Sequence, residues 1–219
     1  MVKINYRIVE DFDVLKKIDK ESFDLDYDCI SGFFRFVAGE QHYGDFYHEN
    51  PLQKGEVGMD LLDLWLELLL DAMAELSDKN YIAFLVPDTA YIWLEFKKQG
   101  ERISISSYTD KNVCDGWSAT FRTEPINGIT SKFNNAYQTE FTQLATAIIN
   151  VVKQFISELG KINVELLKVR MTERLLQKLS TVKTQQRKPY AGCRHIRNTN
   201  TRTTANSSIH KYTSTSPSL

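Results

Sequence analysis

The stretch YIAFLVPDTAYIWLEFKKQGERISISSY, residues 81–108, decides the fold. It holds three short runs, Tyr81 to Val86, Tyr91 to Lys97 and Arg102 to Tyr108, each rich in aromatic and β-branched residues. Such residues suit the pleated, half-buried surface of a strand. Between them stand Pro87-Asp88-Thr89 and Lys98-Gln99-Gly100-Glu101, where Pro presets φ and Gly and Asp tolerate tight turns. Connections this short cannot carry a parallel crossover, which needs about a dozen residues, so the runs predict an antiparallel meander. A fourth run, Trp117 to Arg122, follows the loop-like Lys111 to Gly116. Ile103 and Ile105 alternate with Ser104 and Ser106, which predicts one face on the core and one in water.

Upstream, Gly55 to Leu76 is dense in Leu, with Met, Ala and Trp65, and its spacing predicts a long helix. Glu56, Asp60, Asp63, Glu67, Asp71 and Glu75 recur every three or four residues, one narrow stripe on an otherwise apolar helix. No Lys or Arg interrupts the stripe, so it lacks internal i,i+4 partners. Lys3 to Val9 alternates as a first strand, and Asp11 or Asp13 is placed to cap a helix reaching Phe23. Cys29 to Ala38 reads as a strand, Gly39 to Gly44 as a turn, and Asp45 to His48 as a short returning strand. Downstream, Phe141 to Leu159 presents a wide apolar face broken at Gly160, and Val164 to Leu179 continues as a more charged amphipathic segment.

These elements predict a single α+β domain, residues 1–179, in which a mostly antiparallel sheet packs against a leucine-rich central helix and C-terminal helices. From Ser180 the composition changes to Thr, Ser, Asn, Arg and Lys. Residues 180–219 bury too little apolar area to offset their ordering entropy, and a disordered basic Ser/Thr-rich tail is expected.

The formal net charge of −1 conceals segregation. Residues 1–96 carry 20 acidic against 8 basic side chains, a net of −12. Residues 97–179 carry 8 against 12, a net of +4, and residues 180–219 carry 7 basic and no acidic side chains. An acidic half repels nucleic acid and attracts cationic surfaces. The longest apolar stretch is interrupted by acids well short of the roughly 20 residues of a membrane span, and the opening Met1 to Arg7 lacks the apolar run of a signal peptide. A cytoplasmic protein with no membrane role is expected. Cys29, Cys114 and Cys193 are far apart and include no CxxC pair, so neither a disulfide framework nor a zinc ribbon is indicated.

No nucleophile elbow, phosphate-cradling loop or dinucleotide fingerprint is present, and neither a catalytic centre nor a cofactor or metal site is expected. His42, Asp45, His48 and Glu49 form a local cluster of metal-capable groups, the basis of an alternative reading as a metal-dependent hydrolase around His42 and His48, although a third firm ligand is not named by the spacing. Cys193 and His195 sit in the tail, where attack geometry cannot be held. The tail itself supports another alternative, a nucleic-acid-associated adaptor using Arg187, Arg194, Arg197 and Arg202 on phosphates. The acidic stripe reads either as a solvated face or as a docking surface for a cationic partner. Asp45, Glu49, Asp60, Asp63, Glu67 and Asp71 are the candidate partner-binding acids, with Tyr91 and Trp93 as aromatic anchors on one strand face. Reversing Asp63 and Glu67 to Lys is then expected to slow association more than it destabilises the fold. A homodimer is left open.

A leucine-rich helix leading into Tyr81-Ile82-Ala83-Phe84, then Tyr91-Ile92-Trp93-Leu94-Glu95-Phe96 and a Ser-rich strand, resembles the immunity proteins of bacterial toxin–immunity systems. The resemblance spans residues 29–160. It implies a cytoplasmic, non-enzymatic protein that binds one cognate toxin and blocks it.

Overall fold

The computed structural model describes residues 1–89, 91–110, 121–125 and 136–186. Two antiparallel sheets share one core. The first is built from β1 (Val2–Ile8), β2 (Ser31–Ala38), β3 (Gln41–Tyr43) and β4 (Asp60–Leu61), with β2 pairing to all three others. The β1–β2 register sets Val2 opposite Ala38 and Ile8 opposite Gly32. The second sheet has the order β8-β5-β6-β7-β9, from β5 (Tyr81–Leu85), β6 (Ile92–Gln99), β7 (Arg102–Thr109), β8 (Phe121–Arg122) and β9 (Tyr137–Glu140). Its centre, β5-β6-β7, is the meander expected from residues 81–108. The helices are α1 (Phe12–Leu15), α2 (Lys20–Asp26), α3 (Leu62–Asp78), α4 (Phe141–Ile162) and α5 (Arg170–Gln186), with a 3-10 turn at Val164–Leu167.

A chain of aromatic rings joins the sheets through α3. Trp65 stacks on Phe34 of β2 with ring centroids 4.5 Å apart and meets Phe84 of β5 edge-on at 6.3 Å. Phe84 stacks on Phe96 at 5.9 Å, and Phe96 meets Phe36 of β2 at 6.2 Å. All five are fully buried, and offset and edge-to-face rings add to the burial of their large apolar area. The apolar face of α4 closes the same core with Leu144, Ile148, Val152, Phe155 and Leu159.

Several elements differ from their sequence expectation. The region from Asp11 to Phe23 divides into α1 and α2 because each start has its own acid: the Asp11 carboxylate accepts from the Asp13 and Val14 amides, and Asp19 accepts from Ser22. Asp45 to His48 is not a strand; β3 lies earlier, at Gln41–Tyr43. The long helix begins at Leu62, not near Gly55. Asp60 and Leu61 are held in a strand because β4 pairs with Ser31 and Gly32 of β2, and Gly58 lies so close that a Cβ there would overlap the Gly32 backbone nitrogen. α5 continues to Gln186, seven residues past the expected end of the folded body, with Val182 buried in the core. The expected tail beyond residue 186, and the Trp117–Thr120 part of the fourth strand run, lie outside the described residues.

The expected wet face of the meander is also different. Ile103 and Ile105 face the main core as anticipated, but on the opposite face Ser106 is buried, together with Tyr81, Ala83, Trp93, Glu95 and Tyr108. Among the described residues no helix is long and apolar enough to cross a membrane.

Candidate functional site

The acidic stripe separates into members with different jobs. Asp60 is 3% exposed. Its Oδ1 accepts the Trp65 indole N–H at 2.8 Å, and its Oδ2 accepts the backbone amides of Asp45 at 3.2 Å and Phe34 at 3.3 Å. Asp63 is also buried and accepts the Ile30 amide at 3.0 Å. Burial pushes its carboxyl up to about 6, against the pull of that hydrogen bond. These two carboxylates are internal struts, since side chains with so little exposure offer no contact area to a partner.

Glu67 and Asp71, half-buried on the next two turns, face α5. Arg174 Nε lies 2.9 Å from Glu67 Oε1, and Lys178 Nζ lies 3.5 Å from Glu67 Oε2 and 2.6 Å from Asp71 Oδ2. One turn earlier the Arg170 amide donates to Asp24 Oδ1 at 2.8 Å, and its guanidinium donates to the Asp24 carbonyl. Glu75 pairs with Lys79 at 2.5 Å, an i,i+4 partner just past the apolar run. The cations met by Glu67 and Asp71 are thus Arg174 and Lys178 of the same chain, in a row that Arg170 begins by meeting Asp24. That row was legible as a four-residue repeat in the sequence, matching the four-residue repeat of the acids, but its pairing with α3 required the tertiary packing.

Asp45 and Glu49 stay exposed. They lie on an irregular strap, residues 44–59, that crosses the first sheet. Arg7 Nη1 donates to the carbonyls of His48 at 3.0 Å and Asn50 at 2.6 Å. Arg35 Nη2 donates to the Phe46 carbonyl at 2.5 Å, with its guanidinium over the Phe46 ring. The Phe33 ring touches Phe46, Tyr47 and His48 edge-on. His48 Nε2 lies 2.5 Å from Glu56 Oε1, and Glu56 Oε2 accepts the Gln53 amide at 2.9 Å. That amide, then the histidine, holds the Glu56 carboxyl below its usual range. The strap is therefore anchored at both ends and along its length. Asp88 belongs to the same region: partial enclosure, then the Asp45 charge, raises its carboxyl.

His42 is exposed on β3, opposite Val37, while His48 is taken up by Glu56. Among the described residues no group of three or more His, Cys, Asp or Glu side chains is arranged to hold a metal, so the third ligand that the hydrolase alternative needs does not come from them. Cys29 is a free thiol, pushed up by burial and then by the charges of Asp63, Glu10 and Asp28. Cys114, Cys193 and the arginines of the adaptor alternative lie outside the described residues.

Tyr91 and Trp93 were expected to act together. The structure leaves Tyr91 46% exposed just before β6 and buries Trp93 completely. Trp93 lies parallel to Tyr108 at 6.1 Å, and the Arg122 guanidinium sits 3.9 Å over the indole. Arg122 in turn pairs with Asp110 at 2.9 Å. Beside them Glu95 accepts from Ser106 at 2.8 Å and pairs with Lys97 at 2.9 Å. Burial, then the Glu95 charge, pushes the Tyr81 phenol well above its usual range. This buried polar patch was invisible in the sequence because Ser106 and Glu95 read as solvent-facing positions.

Comparison with protein families, with curated proteins and with solved structures finds no match for this chain.

Proposed function

We propose that this protein is a non-enzymatic inhibitor of the immunity type, which binds a basic toxin domain through an acidic surface and blocks it by occlusion. The observation that carries the reading is the state of Asp45 and Glu49. Both are exposed, and among the described residues neither has an ion-pair partner; Asp88 adds a third charge beside Asp45. They are presented on a strap whose backbone is clamped by Arg7, Arg35 and Asp60. Uncompensated charge on a rigid scaffold suits fast, electrostatically steered association at little entropic cost. Of the other acids expected to meet a partner, Asp60 and Asp63 are buried and Glu67 and Asp71 pair with α5, which leaves Asp45 and Glu49 as the exposed pair.

The test is to mix the purified full chain with the product of the neighbouring gene at low and high salt, and to co-express the two. A complex that weakens with salt, and protection on co-expression, are the expected results. Asp45→Lys with Glu49→Lys should slow association at least tenfold while leaving the melting temperature unchanged, because neither side chain supports the fold. No complex at low salt overturns the reading.

A further inference from the structure

The strap carries more than charge. Asp60 turns its carboxylate onto the β2 backbone and a Cβ at Gly58 would meet Gly32, while Val57, Met59 and Leu61 between and beside them stay exposed. These three are 67%, 56% and 36% exposed. Leu64, on the first turn of α3, continues the row at 36%, and Tyr47, held on the neighbouring limb by its contact with Phe33, is 58% exposed. The His48–Glu56 pair ties the limb that carries Tyr47 to the limb that carries Val57. The Asp60 carboxylate accepts the Asp45 amide, which ties the Asp45 backbone to the segment that carries Met59 and Leu61. Glu49 flanks the His48 end, and Lys54 is the exposed cation of the segment. An apolar row with charged side chains at its margin has the layout of an interface with a hydrophobic centre and a polar rim.

We propose that Val57, Met59, Leu61 and Leu64, with Tyr47, form the apolar centre of a docking surface for a protein segment whose own apolar side chains are flanked by Lys or Arg. The proposal rests on the inhibitor reading and names the contact chemistry of its partner. Charge decides among the occupants. A second copy docking on the same row brings the same margin, Asp45 and Glu49 against Lys54, and so adds more acid than cation to the interface. An anionic lipid surface is repelled by the same rim. The chain's own basic tail has the right charge, but residues 187–219 contain only Ile196, Ile209 and Leu219 as large aliphatic residues, too sparse to cover a row of four. A cationic amphipathic segment satisfies both the row and the rim.

The chain has four methionines, of which Met73 and Met171 are buried and Met1 and Met59 exposed, so methyl NMR of methionine-labelled full-length protein, with the Met59 signal assigned by its loss in Met59→Leu, provides the reporter. The probes are a synthetic peptide of alternating Leu and Lys, its Leu and Glu counterpart, and vesicles of phosphatidylglycerol. The Leu/Lys peptide is expected to shift the Met59 methyl saturably, with Met73 and Met171 unmoved. Val57→Ser with Leu61→Ser, both at exposed positions, should weaken that binding at least tenfold. A silent Met59, an equal response to the Leu/Glu peptide or to vesicles, or a Met59 signal that depends on protein concentration overturns the proposal. Peptide binding that survives the Ser pair but is lost in Asp45→Lys with Glu49→Lys overturns the apolar centre and leaves the inhibitor reading standing. Loss with the Ser pair but not with the Lys pair does the reverse.

Discussion

Arg174 Nε stands 2.9 Å from Glu67 Oε1, tying α5 to α3 across 107 residues of sequence. Lys178 reaches the same carboxylate and also Asp71. Reversing Glu67 to Lys sets three cations together on a packed helix pair. The expected cost is about 2 kcal/mol of folding stability, read by urea denaturation. Adding Asp63→Lys buries an unpaired ammonium and should unfold the protein under mild conditions. This inverts the sequence expectation, in which the double reversal chiefly slowed association. Glu67→Gln should cost only about 0.5–1 kcal/mol, and a double-mutant cycle with Arg174→Ala should return a coupling of similar size that shrinks in salt. No coupling in that cycle refutes the account.

Asp63 makes stability fall as pH rises. Its carboxyl titrates at about 6 in the fold against an ordinary value of 3.8. Between those values the native state binds more protons than the unfolded state, so this group's contribution is fully present below about 3.8 and is lost as pH rises through 6. Asp63→Asn keeps an acceptor for the Ile30 amide and removes the buried charge. The variant should gain stability relative to the wild type as pH rises from 4 to 7, measured by urea unfolding at both values. A constant difference across that range counts against the burial argument.

Asp60 ties the strap to the body through three donors, so Asp60→Ala leaves the Trp65 indole and the Asp45 amide without their acceptor, while the Phe34 amide keeps the Asp45 carbonyl. The expected loss is about 3 kcal/mol. Because the Asp45 amide is one of those donors, the same variant should weaken partner binding, and Trp65 emission should shift to the red as water reaches the ring. Stability lost without any change in emission would place the damage elsewhere.

Two glycines in one segment should respond differently. Gly58→Ala forces a methyl into the Gly32 backbone and is expected to cost about 3 kcal/mol or to detach β4 from β2. Gly55 has φ +85 and open space where a Cβ would go, so Gly55→Ala meets only the strain of a left-handed backbone, about 1 kcal/mol. Melting temperatures of the two variants check the ordering; equal losses contradict it.

The meander was legible because local chemistry and global packing agree there. Tyr81 to Leu85, Ile92 to Gln99 and Arg102 to Thr109 are strand-formers separated by turn-formers, and antiparallel neighbours need no distant information to pair. The wide apolar face of α4 was legible for a similar reason, since a 3.6-residue period survives any arrangement of partners. The start of α3 was not. The composition from Gly55 onward suits a helix, but pairing with β2 at Ser31 and Gly32 holds Asp60 and Leu61 in a strand, a contact made with residues about 30 positions away.

The sequence by itself determined the class of this protein: an α+β body, an antiparallel meander, a leucine-rich helix at its centre and an acidic first half. Periodicity and turn chemistry are local properties, and net charge is a sum that folding leaves unchanged. Only the tertiary structure decided which acids are available. Asp60 and Asp63 turn inward to buried amides, and Glu67 and Asp71 meet Arg174 and Lys178 of α5, while Asp45 and Glu49 remain on the surface. A carboxylate's role depends on what lies within about 4 Å of it, and those neighbours are set by packing between elements far apart in the chain.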